Sequence, residues 1–174
     1  GIVFGHICGR STNHNNKSND SETNTLSDKK HKLHYWMYTV FDDTSWMECQ
    51  QKEIMVLGMN DIGDYSQYDS KESLRQELIS TYDNSTSRKN QALMAWNFAN
   101  KLAINDVIFA KRSNTLVGKG IVTGDYIFDD SRQEYKNIRT VKWLQIGEWE
   151  HPGKSVAKRL TDITSYTDYI EKLI

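Results

Sequence analysis

The stretch Asn105-Asp-Val-Ile-Phe-Ala-Lys-Arg-Ser-Asn-Thr-Leu-Val-Gly-Lys-Gly-Ile-Val-Thr-Gly-Asp-Tyr126 decides the fold. Residues Val107 to Ala110 are apolar and rich in β-branched and aromatic types, Ser113-Asn114-Thr115 is a polar turn, and Leu116 to Val122 is apolar again. Two such runs around a short polar turn predict a β-hairpin. Gly118 and Gly120 sit two apart, so both fall on one face of the second strand. The missing side chains let another backbone or a flat ligand approach there, and they also suit the curvature of a small barrel.

Working outward, residues Tyr35 to Phe41 form a strand with large apolar side chains on both faces, which predicts a central position in a sheet. Asp42 to Ser45 supplies N-caps for a short helix starting near Trp46, and Ile54 to Met59 reads as a second buried strand. Gly58 to Tyr68 is a loop dense in polar and aromatic residues at the end of that strand, where a scaffold commonly holds ligands. Asp69 and Glu72 have capping-box spacing before a helix with Leu74, Leu78 and Tyr82 at intervals of four. A further helix, 89–102, places Ala92, Leu93, Trp96, Ala99 and Leu102 on one stripe, with Trp96 read as core. Beyond the hairpin come a strand from Ile138 to Leu144, a short one near Trp149, a close at Pro152-Gly153, and a last helix from Thr161 to Ile174. No glycine-rich phosphate loop and no regular strand–helix alternation is present, which excludes a doubly wound parallel sheet. The expectation is an α+β fold: a small mixed β-barrel flanked by helices.

The 174 residues, 37% hydrophobic and 11% aromatic, suffice for one domain with an appendage. The appendage is residues 1–34, because 10–32 is almost wholly polar and cannot offset its ordering entropy by burial. His6, His14, His31 and His34 lack the spacing and partners of a metal site, so no metal and no cofactor is expected. Cys8 and Cys49 lack metal spacing and suggest no secreted scaffold. With no apolar run near the ~18 residues of a membrane helix and no signal peptide, a cytoplasmic protein is expected. The first residue is not Met, which suits an excised piece.

Charge is unevenly spread. Residues 42–83 hold ten acids and three bases, net −7, whereas 101–159 hold eleven bases and seven acids, net +4, although the whole chain is −1. Such polarity can turn one basic face towards a phosphate backbone.

Asn105-Asp106-Val107-Ile108-Phe109-Ala110-Lys111, followed by Gly118-Lys119-Gly120-Ile121-Val122, resembles the core motif of EVE domains in the PUA-like superfamily. Gly58 to Tyr68, Ala92 to Ala99, Val141 to Leu144, Gly147 to Glu150 and Leu160 to Tyr166 further resemble the amino-terminal specificity modules of McrB-like modification-dependent restriction proteins. The resemblance runs from Tyr35 to Ile174. It implies a non-catalytic module that reads a methylated base in double-stranded DNA by flipping it into an aromatic pocket, as EVE and related YTH domains do with modified bases. It further implies attachment to a GTP-driven AAA+ motor ring that recruits a nuclease subunit in phage defence; no Walker motif occurs in these residues.

By that resemblance the base pocket draws on Asp42, Trp46, Met59, Asn60, Asp61, Tyr65 and Tyr126, with Lys111, Arg112, Lys119, Arg132, Lys136 and Arg139 on phosphates. Met59 stands where a Trp is the usual wall. Rings supply sequence-tolerant stacking worth ~1–3 kcal/mol per base, and carboxylates or amides can pair with a base edge. Two other readings stay open: a reader of modified RNA, and a small hydrolase. The hydrolase lacks any nucleophile–base spacing, since Cys49 has no positioned His and the adjacent acids 42–43 and 129–130 point apart in a strand.

Overall fold

A computed structural model describes residues 32–83, 85–154 and 156–174. The readings that fall on residues 1–31, including Cys8, His6, His14 and His31, lie outside the described residues.

The order is β1 (Tyr35–Thr39), α1 (Asp43–Lys52), β2 (Ile54–Leu57), two 3-10 turns (Asn60–Ile62 and Tyr65–Gln67), α2 (Lys71–Thr81), α3 (Lys89–Asn100), β3 (Val107–Arg112), β4 (Thr115–Phe128), β5 (Asn137–Glu150), β6 (Leu160–Asp162) and α4 (Thr167–Leu173). The six strands form one mixed sheet in the order β2-β5-β4-β3-β1-β6, in which only β1 and β3 run parallel. The architecture is α+β, a sheet curled into a half-barrel with helices against it. Register shifts at Ala110/Lys111 in β3–β4 and at three places in β4–β5 supply the curl, because each extra residue bends its strand.

The hairpin is β3–β4, as the sequence predicts, but β4 runs on to Phe128 and β5 continues unbroken through Trp149. β1 is doubly buried between β3 and β6. Its Trp36 and Tyr38 face a large core under α1 to α3, while Met37 faces a smaller one with Phe109, Leu116, Ile163, Ile170 and Leu173. Asp106, fully buried, accepts hydrogen bonds from Trp36 Nε1 (2.9 Å) and from the backbone N–H groups of His34 and Ala103, tying β1 to β3.

Three local expectations are corrected. The α2 cap is Ser70 reciprocating with Ser73, not Asp69 with Glu72. α3 buries Ala92, Ala95 and Phe98, leaving Trp96 half-exposed. Residues 160–162 pair with β1, so the last helix starts only at Thr167, and Tyr166 is exposed.

The bare face of β4 is filled by the protein itself. A Cβ on Gly118 would meet Trp46 Cη2 at 2.7 Å, and one on Gly120 would meet Val141 Cγ1 at 2.7 Å and the Lys142 carbonyl at 2.9 Å. The indoles of Trp46 and Trp143 pack edge to face there, with ring centroids 4.8 Å apart. The glycines serve close packing.

Candidate functional site

At the rim of the sheet, three chain segments enclose a cleft of about 340 Å³. Phe41 leads from β1 towards α1, Gly58 to Asp61 follow β2, and Glu134 and Tyr135 come from the β4–β5 loop. Tyr82, at the end of α2, completes it. Phe41 and Tyr135 lie ring to ring at 4.6 Å. Gly58 is the floor: a Cβ there would sit 3.5 Å from Phe41 and 3.9 Å from Tyr135, in ordinary contact. A second groove, about 590 Å³, adjoins it through Glu134 and Tyr135 and runs along α1 past Asp42, Glu48 and Arg132.

Two cleft residues hold backbone conformations that side chains rarely adopt: Met59 at φ +67° and Tyr135 at φ +51°. Left-handed conformation costs a non-glycine residue of order 1 kcal/mol and gathers at ligand clamps, so a cleft faced by two of the six such residues among those described is a candidate site. Asn60 is fixed by accepting the Lys136 backbone N–H at 3.1 Å. Its NH2 group then has no partner among the described residues and offers two donors. Burial first, then the adjacent Asp61 carboxylate, pushes the Tyr82 phenol up to about 12. Burial, then Asp42 and Glu134, likewise raises the Tyr135 phenol, whose oxygen is 3.5 Å from Asp42 Oδ2. Both hydroxyls are therefore protonated donors at neutral pH.

Of the seven expected pocket residues, the cleft brings together Met59, Asn60 and Asp61. Asp42 lines the neighbouring groove, where it caps α1; the Ser45 N–H, donated at 2.7 Å, holds its carboxyl below the usual range. Trp46 is 6% exposed and packed on Trp143, so it is a core ring and no wall. Tyr65 is fully buried. The Tyr126 oxygen accepts the Tyr65 N–H at 2.8 Å and lies 2.9 Å from Asp64 Oδ1 and 2.5 Å from Asn137 Oδ1. Tyr126 thus fastens the 3-10 turn to β4 and β5 from behind.

The six expected phosphate contacts are engaged within the protein. Lys111 is buried, donates to the Ser113 carbonyl at 3.2 Å, and is lowered from its usual value by desolvation. Arg139 is 3% exposed and donates to the carbonyls of Phe98, Ala99 and Gly124, capping the end of α3. Arg112 joins Asp43 and Glu148, Arg132 joins Glu48, and Lys136 joins Asp130. Lys119 stands 5.7 Å over the Phe109 ring. A continuous basic face is therefore not assembled from these six. Arg159 does not line the cleft but lies behind one of its walls, with its guanidinium 3.8 Å over Phe41.

Sequence reasoning singled out the loop that begins at Gly58 but not Phe41, Tyr82, Glu134, Tyr135 or Arg159. Tyr135 and Arg159 lie in polar runs without periodicity, and only the folded chain brings them to the end of β2.

The fold and cleft define an α+β domain with an open, aromatic-bordered cleft at the rim of a curled sheet. The chain belongs to the family described as a domain of unknown function (DUF8426), whose model matches residues 36–167. No curated protein sequence matches it. Among solved structures it is similar to the YTH domain of the Zygosaccharomyces rouxii MRB1 protein in complex with N6-methyladenosine RNA, with a TM-score of 0.46, 9% identity, and 81% of this chain and 86% of that chain covered. It is also similar to the YTH domain-containing protein mmi1 in an RNA complex, with a TM-score of 0.43, 9% identity, and 82% and 79% covered.

Proposed function

We propose that this chain is a non-catalytic nucleic-acid-binding module that holds one modified base, swung out of a DNA duplex, in the Phe41–Tyr135 cleft. The observation that carries the reading is the cleft itself: about 340 Å³, bordered by Phe41, Tyr82 and Tyr135, with Asn60, Asp61 and Glu134 as its polar side chains. That volume lies at the small end of ligand pockets, which suits one heterocycle. Aromatic faces take up a flipped base, the Met59 thioether packs on its plane, and the Asn60 NH2 meets an acceptor on its edge. The resemblance to McrB-like specificity modules from Tyr35 to Ile174 supports DNA as the polymer. It also supports a parent protein in which a GTPase motor ring and a nuclease follow.

An enzyme is the weaker reading. Burial pushes the Cys49 thiol up to about 12, so it is no nucleophile at neutral pH. Because the expected cations are internally paired, phosphate contacts are few, and the salt dependence should be shallow. A plot of log affinity against log salt should have a slope nearer −1 to −2 than the −5 that six contacts would give. The test is fluorescence anisotropy on duplexes that each carry one modified base, with the same strands as RNA in parallel. Preference for a modified DNA duplex supports the proposal, preference for modified RNA transfers the cleft to the RNA reading, and equal binding of modified and unmodified strands refutes both.

A further inference from the structure

We infer that the base held in the cleft is positively charged: a ring-nitrogen-methylated base such as 1-methyladenine or 3-methylcytosine, in preference to its neutral isomers N6-methyladenine and 5-methylcytosine. The inference rests on the modified-base reading and names the ligand class. It comes from the charge and ring content of the lining. Asp61 and Glu134 are the only ionisable acids or bases in the cleft wall besides the tyrosines, and no Lys or Arg lines it. Asp42 stands next to them, 3.5 Å from the Tyr135 hydroxyl. A neutral base gains at most a hydrogen bond from these carboxylates, of which Asp61 also faces the Tyr82 hydroxyl, whereas a cationic one is attracted by both charges.

The rings point the same way. The face of an aromatic ring attracts a cation, and two of these rings already hold one: the Arg159 guanidinium lies 3.8 Å over Phe41, and that of Arg88 lies 5.5 Å over Tyr82. No cation lies over the Tyr135 ring itself among the described contacts; Asp42 and Glu134 flank it, and Arg159 acts on it from the far side of Phe41. Tyr135 is the ring with a place for one. Methylation at a ring nitrogen both fixes the charge and removes a pairing edge, so such a base leaves its helix at lower cost.

Isomers make the test sharp, because 1-methyladenine and N6-methyladenine differ in where the methyl sits and in charge. Short single strands remove any difference in the cost of opening a pair. Anisotropy titrations of the 174-residue chain should give 1-methyladenine tighter than N6-methyladenine, and 3-methylcytosine tighter than 5-methylcytosine, each by on the order of tenfold. In Asp61→Asn/Glu134→Gln the ratio of charged-isomer to neutral-isomer affinity should fall towards unity. Neutral isomers bound as tightly as charged ones by the wild-type chain would overturn the inference and leave the modified-base reading standing. So would a charge preference that survives in the double variant. No preference for any modified strand over its unmodified counterpart would overturn both.

Discussion

Arg139→Ala separates two accounts of a single side chain. In a basic face Arg139 would meet phosphate, and its loss would weaken DNA binding without affecting folding. In the structure it is 3% exposed and donates to the Phe98 and Ala99 carbonyls at 3.0 Å each and to Gly124 at 3.2 Å. Two of these are orphan carbonyls in the last turn of α3, where a cation also opposes the helix dipole. Hydrogen bonds from a charged donor contribute about 1.5–3 kcal/mol each, offset by the cost of holding a guanidinium out of water. Removing it leaves three carbonyls to find water, for a net loss of about 3–5 kcal/mol. With a urea slope of roughly 2 kcal/mol per molar, the unfolding midpoint should fall by about 1.5–2.5 M. A midpoint within about 0.3 M of wild type, with a salt slope shallower by about 0.9, would show instead that Arg139 faces phosphate.

Trp46→Ala should act on stability as well, at a cost of about 3–5 kcal/mol for an emptied core site, and calorimetry should show a lowered Tm. Gly58→Val should do the reverse. Its Cβ has room at 3.5 Å from Phe41, so stability should change by under about 1 kcal/mol while the added methyls obstruct the cleft and modified-base affinity drops at least about tenfold. Unchanged affinity would place the ligand elsewhere. His151, 2% exposed, donates from Nδ1 to the Gly153 carbonyl and accepts the Tyr169 hydroxyl on Nε2 at 2.5 Å, and burial, then Lys111, lowers it from its usual value. A folded-state value below the unfolded one of about 6.5 means that stability is complete above that pH and declines as pH falls towards the folded value. Urea midpoints taken from pH 7.5 to 5 should therefore fall, and His151→Gln should flatten part of the decline.

Where side chains repeat with a period, the sequence carried the fold. β1 could be read as buried on both faces because large apolar residues fill it, β3 as a hairpin strand from its apolar run, and the Ser113–Thr115 turn from its composition. Ser113 takes φ +53°, as a tight reversal requires, and Asn105 takes φ +77° just before β3. The length of β4 and β5 was not legible, because their bulges break the alternation that marks a strand. The same bulges made Gly118 and Gly120 look like an open slot, when their partners were Trp46 and Trp143, some 70 and 20 residues away in the chain. The loop after β2 was found from its composition, and Met59, Asn60 and Asp61 do share the cleft. Its other wall was not, since Tyr135 reaches the site only because β5 pairs Asn137 with Leu57. Charge counting failed for a related reason: a tally of bases cannot tell that Arg112, Arg132 and Lys136 each face a carboxylate.

The cleft stands or falls on Tyr135, which touches Phe41, borders Asp42, lines both cavities and is only partly buried where it packs on the large core. Anisotropy of wild type and Tyr135→Ala on one duplex, with and without a single modified base, tests it directly. The wild-type chain should bind the modified duplex more tightly, and the variant should bind both alike at the wild type's unmodified level, with its Tm little changed. A variant that folds normally and still tells the two duplexes apart would contradict the account.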